Sequence, residues 1–287
     1  MLATGSHVNH PLRGRTAILS TKHQKGSLIA PAIEQTIGMR VCELEVDTDL
    51  LGTFTGEVER TNGPLETAIQ KAQLGLRASG EMLGLASEGS IGMDPFLPIT
   101  TDYEVVAFVN LEDEYEVWEA FRSPQIIARS ISVLGTEGID DFLASADFPN
   151  HGLIVRPSDG SHAVVYKGIH DYESLKNVVA EVAGISADSR AVVETDLRAL
   201  HCPSRRVNIE KAASKLADRL RELCPACATP GWGIVGVNQG LPCAWCAQET
   251  TVICEEVFGC ALCKYEIVQQ SSAFDYADPG FCGICNP

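Results

Sequence analysis

Residues Pro64–Ser90, PLETAIQKAQLGLRASGEMLGLASEGS, decide the fold class. The apolar residues of the first half recur at helical spacing: Leu65, Ile69, Ala72 and Leu76. Pro64 stands at the start of this pattern and Gly80 just after its end, which is the asymmetry typical of helix termini. Met82–Ala86 then predicts a buried strand, and that strand ends in the polar sequence Ser-Glu-Gly-Ser. A helix that leads directly into a buried strand indicates an α/β protein.

The elements on both sides of this stretch extend the pattern. Upstream, Thr16–Thr21 predicts a strand, Ser27–Ile37 a helix and Arg40–Val46 a weaker strand. Downstream, the sequence predicts a hairpin around the acidic turn LEDE, two further strands and two helices: Tyr103–Asn110, Tyr115–Phe121, Gly152–Arg156, Ala163–Tyr166, Tyr172–Val182 and Arg205–Leu223. We therefore expect an α/β domain over residues 16–223, with a mixed central sheet flanked by helices, preceded by a mobile segment over residues 1–15.

The charge balance excludes some classes of function. The chain has 287 residues, with 38 acidic against 22 basic side chains and a net charge of −16. Such an excess of acids argues against a chain-wide nucleic-acid binder, because affinity for phosphate backbones comes from Lys and Arg. We find no run of 18 apolar residues and no signal-peptide pattern, so we expect no membrane contact and a cytoplasmic, reducing location. In that setting cysteine pairs favour metal over disulfides.

The C-terminal segment, residues 224–287, predicts a zinc-ribbon domain. Nine of the 11 cysteines lie there, and eight of them form four C-x-x-C pairs: Cys224/Cys227, Cys243/Cys246, Cys260/Cys263 and Cys282/Cys285. Two such pairs complete one tetrahedral zinc site, so the sequence predicts two structural zinc ions. Sequential pairing of the knuckles is favoured because it closes short loops; interleaved and nested pairings remain open.

The ribbon is strongly acidic. It holds one basic residue, Lys264, against six acids, so its net charge is 1 − 6 = −5. Nucleic-acid binding is therefore not expected, whereas a protein partner or a homo-oligomer formed through the ribbon is open. Trp232 and Trp245 are interpreted as ribbon core rather than contact residues.

Polar motifs concentrate between residues 21 and 94. Thr21–Lys25, T-K-H-Q-K, joins the first strand to the first helix, where backbone N–H groups and two lysines suit an anion. The next candidates are carboxylates near the start of a helix, a lysine on that helix and the acid that ends the buried strand: Glu57, Glu59, Glu66, Lys71 and Glu88. Polar residues at the carboxyl end of an α/β strand are where ligands usually bind.

Four motifs together, T-x-H-x-K, G-E-V-E-R, P-x-E-T-A-x-x-K-A and A-S-E-G-S, resemble the house-cleaning nucleoside triphosphate pyrophosphatases, which include the inosine triphosphate pyrophosphatases and the Maf proteins. The helix-opening P-S-R-R at residues 203–206 is similar to a late S-H-R-G motif of that superfamily. The chain departs from it at His23, where the family has Asn, at Lys25, one position early, and at Glu88, where Asp is commoner. The ribbon has no counterpart there. The whole chain also resembles a bacterial family with the same start and cysteine tail, and that resemblance implies no activity.

The pyrophosphatase resemblance implies a Mg²⁺-dependent hydrolase acting on nucleoside triphosphates. Mg²⁺ would be held by Glu88 with one or more of Glu57, Glu59 and Glu66. The triphosphate would be bound by the T-x-H-x-K loop, including Thr21, His23 and Lys25, and by Lys71, while Arg205 or Arg206 would face the base or a phosphate. Water would attack the α-phosphorus and release pyrophosphate.

A second polar group, Glu194–Arg206, lies just before the last helix of this part. Asp196, Arg198 and His201 suit either a site or a salt-bridged linker to the ribbon. Two alternatives to an enzyme follow from the same sequence: a non-catalytic nucleotide sensor, and a zinc-ribbon adaptor that binds other proteins.

Overall fold

The computed structural model describes residues 10–22, 25–47, 62–95, 97–160, 164–271 and 274–287. Strands are numbered β1 to β12 and helices α1 to α5 in chain order: β1 Thr16–Thr21, α1 Gly26–Ile37, β2 Arg40–Glu45, α2 Pro64–Ser79, β3 Leu83–Met93, β4 Thr100–Asn110, β5 Tyr115–Ser123, β6 Ser130–Val133, α3 Asp140–Ser145, β7 Leu153–Pro157, β8 Tyr166–Ile169, α4 Tyr172–Ile185, β9 Ala191–Thr195, α5 Pro203–Arg221, β10 Gly233–Gln239, β11 Ile253–Gly259 and β12 Glu266–Gln270. The expected mixed α/β fold is confirmed.

The largest sheet has five strands in the order β2-β1-β3-β4-β5. Strands β2, β1 and β3 are parallel, whereas β4 and β5 are antiparallel and form the expected hairpin. Helix α1 connects β1 to β2, and α2 carries the chain back across β1 to β3. The order of the strands therefore reverses between β1 and β3, which is where open α/β sheets form their ligand crevice.

Helices cover both faces of this sheet. On one face α1 and α5 pack against each other and against a core that includes Leu19, Leu85 and Phe108. On the other face α2 packs through Ala72 and Leu76 onto Ala86 and Val109. Gly75 allows this approach, because a Cβ at that position would collide with the Ser20 hydroxyl.

A second sheet of four antiparallel strands, β6-β9-β7-β8, lies within the same predicted α/β domain. Helices α3 and α4 and this sheet share a separate core that includes Leu153, Leu175 and Val193. The strand expected over Ala163–Tyr166 forms later, over Tyr166–Ile169, because this register buries Ile169 against β7. Residues 161–163 lie outside the described residues.

The ribbon is a three-stranded antiparallel sheet in the order β10-β11-β12. It docks on the larger sheet beside the β4–β5 hairpin. The Arg219 guanidinium donates to the Gly231 carbonyl (3.2 Å) and to the Glu119 carboxylate (3.1 Å), and Ala261 packs on the main core.

The N-terminal segment is packed over the part that the structure describes. Leu12 is buried in the main core, and the His10 ring nitrogen Nε2 contacts the Leu220 carbonyl oxygen at 2.9 Å. Residues 1–9, the rest of the segment expected to be mobile, lie outside the described residues. Among the helices described, none is long and apolar enough to cross a bilayer.

Candidate functional site

The sequence candidates Lys25, Lys71 and Glu88 meet at the crevice between β1 and β3. Lys25 is the residue immediately before α1, Lys71 lies on α2, and Glu88 lies on β3. Strand β1 ends at Thr21, while β3 continues for seven residues beyond Ala86, the last β3 residue that pairs with β1. The end of β1 therefore leaves the polar segment of β3 open to the loops and helix ends around it.

Two hydrogen-bonded pairs define this crevice. The Lys71 ammonium lies 2.5 Å from Glu88 Oε2, and the Lys25 ammonium donates to the Ser87 hydroxyl at 2.9 Å. Lys25 and Glu88 are both buried, with 8% and 7% of their surface exposed, and Lys71 is half-buried. Lys71 thus forms the outer edge of the site.

A deeper layer of polar groups was not predicted from the sequence, except for Arg205. Glu104 of β4 forms an ion pair with the Arg205 guanidinium, and both side chains are buried. Asn208, one turn further along α5, donates to the buried carboxylate of Asp102 at 2.8 Å. Gly89 makes room for this layer, because a Cβ there would collide with Glu104 and Arg205.

Burial perturbs the acids and bases of this layer. Asp102 and Glu104 point to the same face of β4, and each keeps one buried carboxylate oxygen without a hydrogen-bond donor among the described residues. Burial and the neighbouring Glu104 raise the pKa of Asp102 to about 7. Burial, assisted by the nearby Arg205, lowers the pKa of Lys25 to about 8.

The remaining sequence candidates fall into three groups. Thr21 is buried at the end of β1, next to the crevice. Glu66 is exposed on the first turn of α2, and among the described contacts neither its carboxylate nor the Arg206 guanidinium bonds to the cluster. His23, Glu57 and Glu59 lie outside the described residues.

The second polar group holds the start of α5 against the smaller sheet. Asp196 forms an ion pair with Arg198 at 2.5 Å and accepts the Gly168 N–H at 3.1 Å. His201 Nδ1 lies 2.9 Å from His170 Nε2. These contacts give the group a structural role between α5 and the smaller sheet, and none of them reaches the ribbon to which a linker role was expected.

The start of α5 has an unusual cap. The first helical turn has no side-chain cap from its own N-cap residue, Cys202. Instead, His151 Nε2 accepts the Ser204 N–H at 3.2 Å and lies 2.9 Å from the Ser204 hydroxyl, while His151 Nδ1 lies 2.9 Å from Asp147. These contacts place the ring proton on Nδ1, where it donates to Asp147. Sequence reasoning missed His151 because it lies 53 residues before Ser204.

The eight paired cysteines form two tetrads. One consists of Cys224, Cys227, Cys260 and Cys263, and the other of Cys243, Cys246, Cys282 and Cys285. Sequential pairing was therefore wrong, and the interleaved alternative is the observed one. The antiparallel pairing of β10 with β11 explains the interleaved arrangement. It places Gly233 beside Gly259 and so brings the first and third knuckles together.

The tetrads have the geometry of single-ion sites. Sulfur–sulfur distances across the knuckles are 3.7 Å for Cys224–Cys263 and Cys227–Cys260, and 3.9 and 3.6 Å for the corresponding pairs of the other tetrad. A tetrahedral ion with metal–sulfur bonds of about 2.3 Å separates its ligands by about 3.8 Å. Disulfide sulfurs would lie at about 2.05 Å, and all eight thiols are free. The tetrads are compatible with two structural zinc ions.

The local backbone and thiol chemistry suit a metal. The Ala226 and Trp245 N–H groups donate to Cys224 Sγ and Cys243 Sγ, each at 3.4 Å. The Thr229 hydroxyl lowers the pKa of Cys227 to about 6, whereas the neighbouring Cys246 thiol raises the pKa of Cys285 to about 12. A dication is what allows four crowded thiols to ionise together.

The two tryptophans differ in environment. Trp232 is half-buried and stacks on Tyr265 and Phe258, with ring centroids 5.8 and 6.4 Å away, so it packs within the ribbon as its assignment to the ribbon core requires. Trp245, in the second knuckle, is 77% exposed, and the same assignment was wrong for it. A knuckle backbone is folded around its metal site and leaves its middle side chains outside.

Comparison with known families places most of the chain in a family. The family described as "Domain of unknown function (DUF6671)" matches residues 71–287, which is most of the chain. The match includes both tetrads as well as Lys71, Glu88, Glu104 and Arg205, and leaves out Lys25. No curated protein matches the chain, and no solved structure matches it.

Proposed function

We propose that this chain, which belongs to the DUF6671 family, binds nucleoside triphosphates in the β1–β3 crevice and hydrolyses a phosphoanhydride bond in them. One observation carries the proposal. At the reversal point of the strand order, three basic side chains, Lys25, Lys71 and Arg205, lie around two acidic ones, Glu88 and Glu104. Asp102 is near its titration point at neutral pH and adds about half a negative charge, so the cluster has a surplus of roughly half a positive charge (3 − 2 − 0.5) within a chain of net charge −16.

The exposure gradient gives the direction of approach. Lys71 lies at the edge of the cluster and is paired with Glu88, and the Glu104–Arg205 pair lies behind them. An entering phosphate would therefore meet Lys71 first and then Lys25, which holds only a neutral hydroxyl among its described hydrogen bonds. Arg205, fixed by Glu104, would contribute positive potential from below.

The hydrolytic step follows from the same groups. Water attacks the α-phosphorus, the bond from that phosphorus to the bridging oxygen breaks, and pyrophosphate leaves. Glu88 is the carboxylate that pairs with Lys71 at this edge, and it accepts the proton of the attacking water once the phosphates have drawn Lys71 away from it. Lys25 and Lys71 stabilise the charge that develops on the phosphate oxygens.

The resemblance also implies Mg²⁺, and the described residues fit it through one side chain. Asp102 and Glu104 are completely buried, so Glu88 is the described acid of the cluster that could contact an ion arriving with the substrate. Mg²⁺ is commonly held by one or two carboxylates together with the substrate's phosphates. Bound there, it would supply charge neutralisation for the leaving pyrophosphate.

The test is pyrophosphate release from ordinary and deaminated nucleoside triphosphates, with and without Mg²⁺. We expect turnover by the native chain and a loss of at least about 100-fold in Glu88→Gln, because general-base groups contribute about 10²–10⁴-fold. Glu66→Gln is the matched control, since Glu66 is exposed and has no described bond to the cluster. Equal turnover by native chain and Glu88→Gln would exclude the catalytic role of Glu88.

A non-catalytic nucleotide sensor is the second candidate. It is favoured by the ion pairs that both acids already form, Glu88 with Lys71 and Glu104 with Arg205, because neither carboxylate is available as a base before a ligand enters. Triphosphate binding with no turnover on any substrate, with or without Mg²⁺, would select this candidate.

We infer zinc as the ion of both tetrads, with a structural role and within a reducing, cytoplasmic setting. Four protein thiolates fill a tetrahedral coordination shell, and such closed sites are structural. Elemental analysis should give about two zinc ions per chain, about one after Cys243→Ser, and an unchanged number after Cys254→Ser, because Cys254 belongs to neither tetrad. Iron in place of zinc, or a stably folded chain without metal, would contradict this inference.

A further inference from the structure

The end of the ribbon that carries the second tetrad exposes a group of aromatic and aliphatic side chains. An open groove there, which we call the distal groove, is lined mainly by apolar residues: Leu241, Ala244, Val252, Phe274, Tyr276 and Phe281. Tyr276 and Phe281 are 59% and 63% exposed, and the exposed Trp245 follows Ala244 in the chain. Apolar surface concentrated in this way marks a binding surface more often than isolated exposed residues do.

The aromatic groups are held by a rigid framework. Cys243 and Ala277 form an isolated parallel β-bridge. In this bridge the Ala244 N–H donates to the Ala277 carbonyl (3.0 Å), and the Ala277 N–H donates to the Pro242 carbonyl (2.7 Å). Asp278 accepts the Gly280 N–H at 2.7 Å and fixes the turn that presents Phe281. The groove is thus formed next to the second tetrad, and binding of a partner would not require the loss of entropy that comes with ordering a flexible surface.

The charges around the distal groove have one sign. Glu249, Asp275 and Asp278 are exposed beside it, and from residue 240 to the C-terminus Lys264 is the one basic side chain. Lys264 directly follows Cys263 of the first tetrad, which lies at the opposite end of the ribbon sheet. A second copy of this chain would bring the same negative charge to the groove, and nucleic acids and anionic membranes would be repelled in the same way.

We propose that the distal groove binds a segment of a partner protein that carries Lys or Arg next to an apolar side chain. The apolar side chain would fill the groove between Tyr276 and Phe281. The basic groups would lie against Asp275 and Asp278 and over the aromatic rings, where cations are attracted to the ring faces. This proposal does not depend on the function proposed for the β1–β3 crevice.

The test uses the full-length, zinc-loaded chain and two fluorescently labelled peptides with the same apolar residues, one flanked by lysines and the other by glutamates. We expect the lysine peptide to bind at least about tenfold more tightly, and this preference to shrink as salt is raised. Phe281→Ala and Tyr276→Ala should each weaken binding about tenfold, as expected for aromatic anchors at the centre of an interface. Zinc content verifies that each variant is folded.

Leu134→Ala is the matched control, because Leu134 is 66% exposed and lies just after β6 of the smaller sheet. It should leave binding unchanged. Equal affinity for the two peptides, no binding of either, binding unaffected by both aromatic substitutions, or self-association of the chain that is lost in Phe281→Ala would each overturn the proposal.

Discussion

Asp102→Asn should stabilise the protein increasingly as the pH rises. In the native chain the pKa of Asp102 is raised from its ordinary 3.8 to about 7, so the folded state holds a proton that the unfolded state has released. A raised carboxyl pKa contributes most to stability below pH 3.8, and that contribution is lost between pH 3.8 and 7. The loss is about 1.4 kcal/mol per pH unit. An amide at position 102 removes this titration, accepts the Asn208 N–H and donates to Glu104.

The free energy of unfolding of Asp102→Asn minus that of the native chain should therefore rise by about 2–3 kcal/mol from pH 5 to pH 8 and level off above pH 7. Urea denaturation of the zinc-loaded proteins measures it, and the difference at each pH cancels the pH dependence of zinc binding. Asp218→Asn, on an exposed i,i+3 ion pair, is the control and should show a small, flat difference. If the difference in the free energy of unfolding for Asp102→Asn is constant or falls as the pH rises, the conclusion that burial raises the pKa of Asp102 is wrong.

Two further predictions concern stability. Arg205→Met should destabilise the chain by about 3–5 kcal/mol, because it leaves the Glu104 charge buried and unpaired; replacing Glu104 by Leu in the same chain should recover most of this loss in urea denaturation. Ala228→Gly should stabilise the ribbon by roughly 0.5–1 kcal/mol, because Ala228 follows the first knuckle in a left-handed conformation (φ 61°) that costs an alanine about 1–2 kcal/mol. The neighbouring Ala226→Gly should give no such gain in melting temperature, and a lower melting temperature for Ala228→Gly would contradict this reasoning.

Periodicity predicted the helices that bury one apolar face, and the alternation around LEDE predicted the β4–β5 hairpin, although β4 itself is buried along most of its length. Helices α1, α2, α4 and α5 and the β4–β5 hairpin formed within a few residues of their expected bounds. Strands β6 and β9 were missed, because a short strand at or near the edge of a small sheet has few residues to carry a pattern. The positions of β6 and β9 depend on pairing with strands that are distant in sequence, which local patterns do not reveal.

The sequence motifs indicated the residues that line the site, but not the buried acids behind them. Lys25 lies between β1 and α1, Lys71 lies on the helix that periodicity predicted, and Glu88 follows the apolar run that predicted β3, although β3 itself continues to Met93. Asp102 and Glu104 lie inside a strand and alternate with apolar residues there. This is also the pattern of a strand whose polar face is exposed to solvent, so the sequence does not show that they are buried. Their burial depends on α5, which contacts β4 from about 100 residues further along the chain. The pairing of the knuckles depends on strand register in the same way.

The most direct test of the β1–β3 crevice as a triphosphate site is equilibrium binding of a triphosphate analogue with a non-hydrolysable α–β bridge. The native chain should bind it, and Lys25→Met should weaken binding by at least about tenfold, since a charged hydrogen bond contributes about 1.5–3 kcal/mol. Lys176→Met, which removes an exposed lysine on α4, should bind like the native chain. No binding by the native chain, or equal binding by Lys25→Met, would contradict the account.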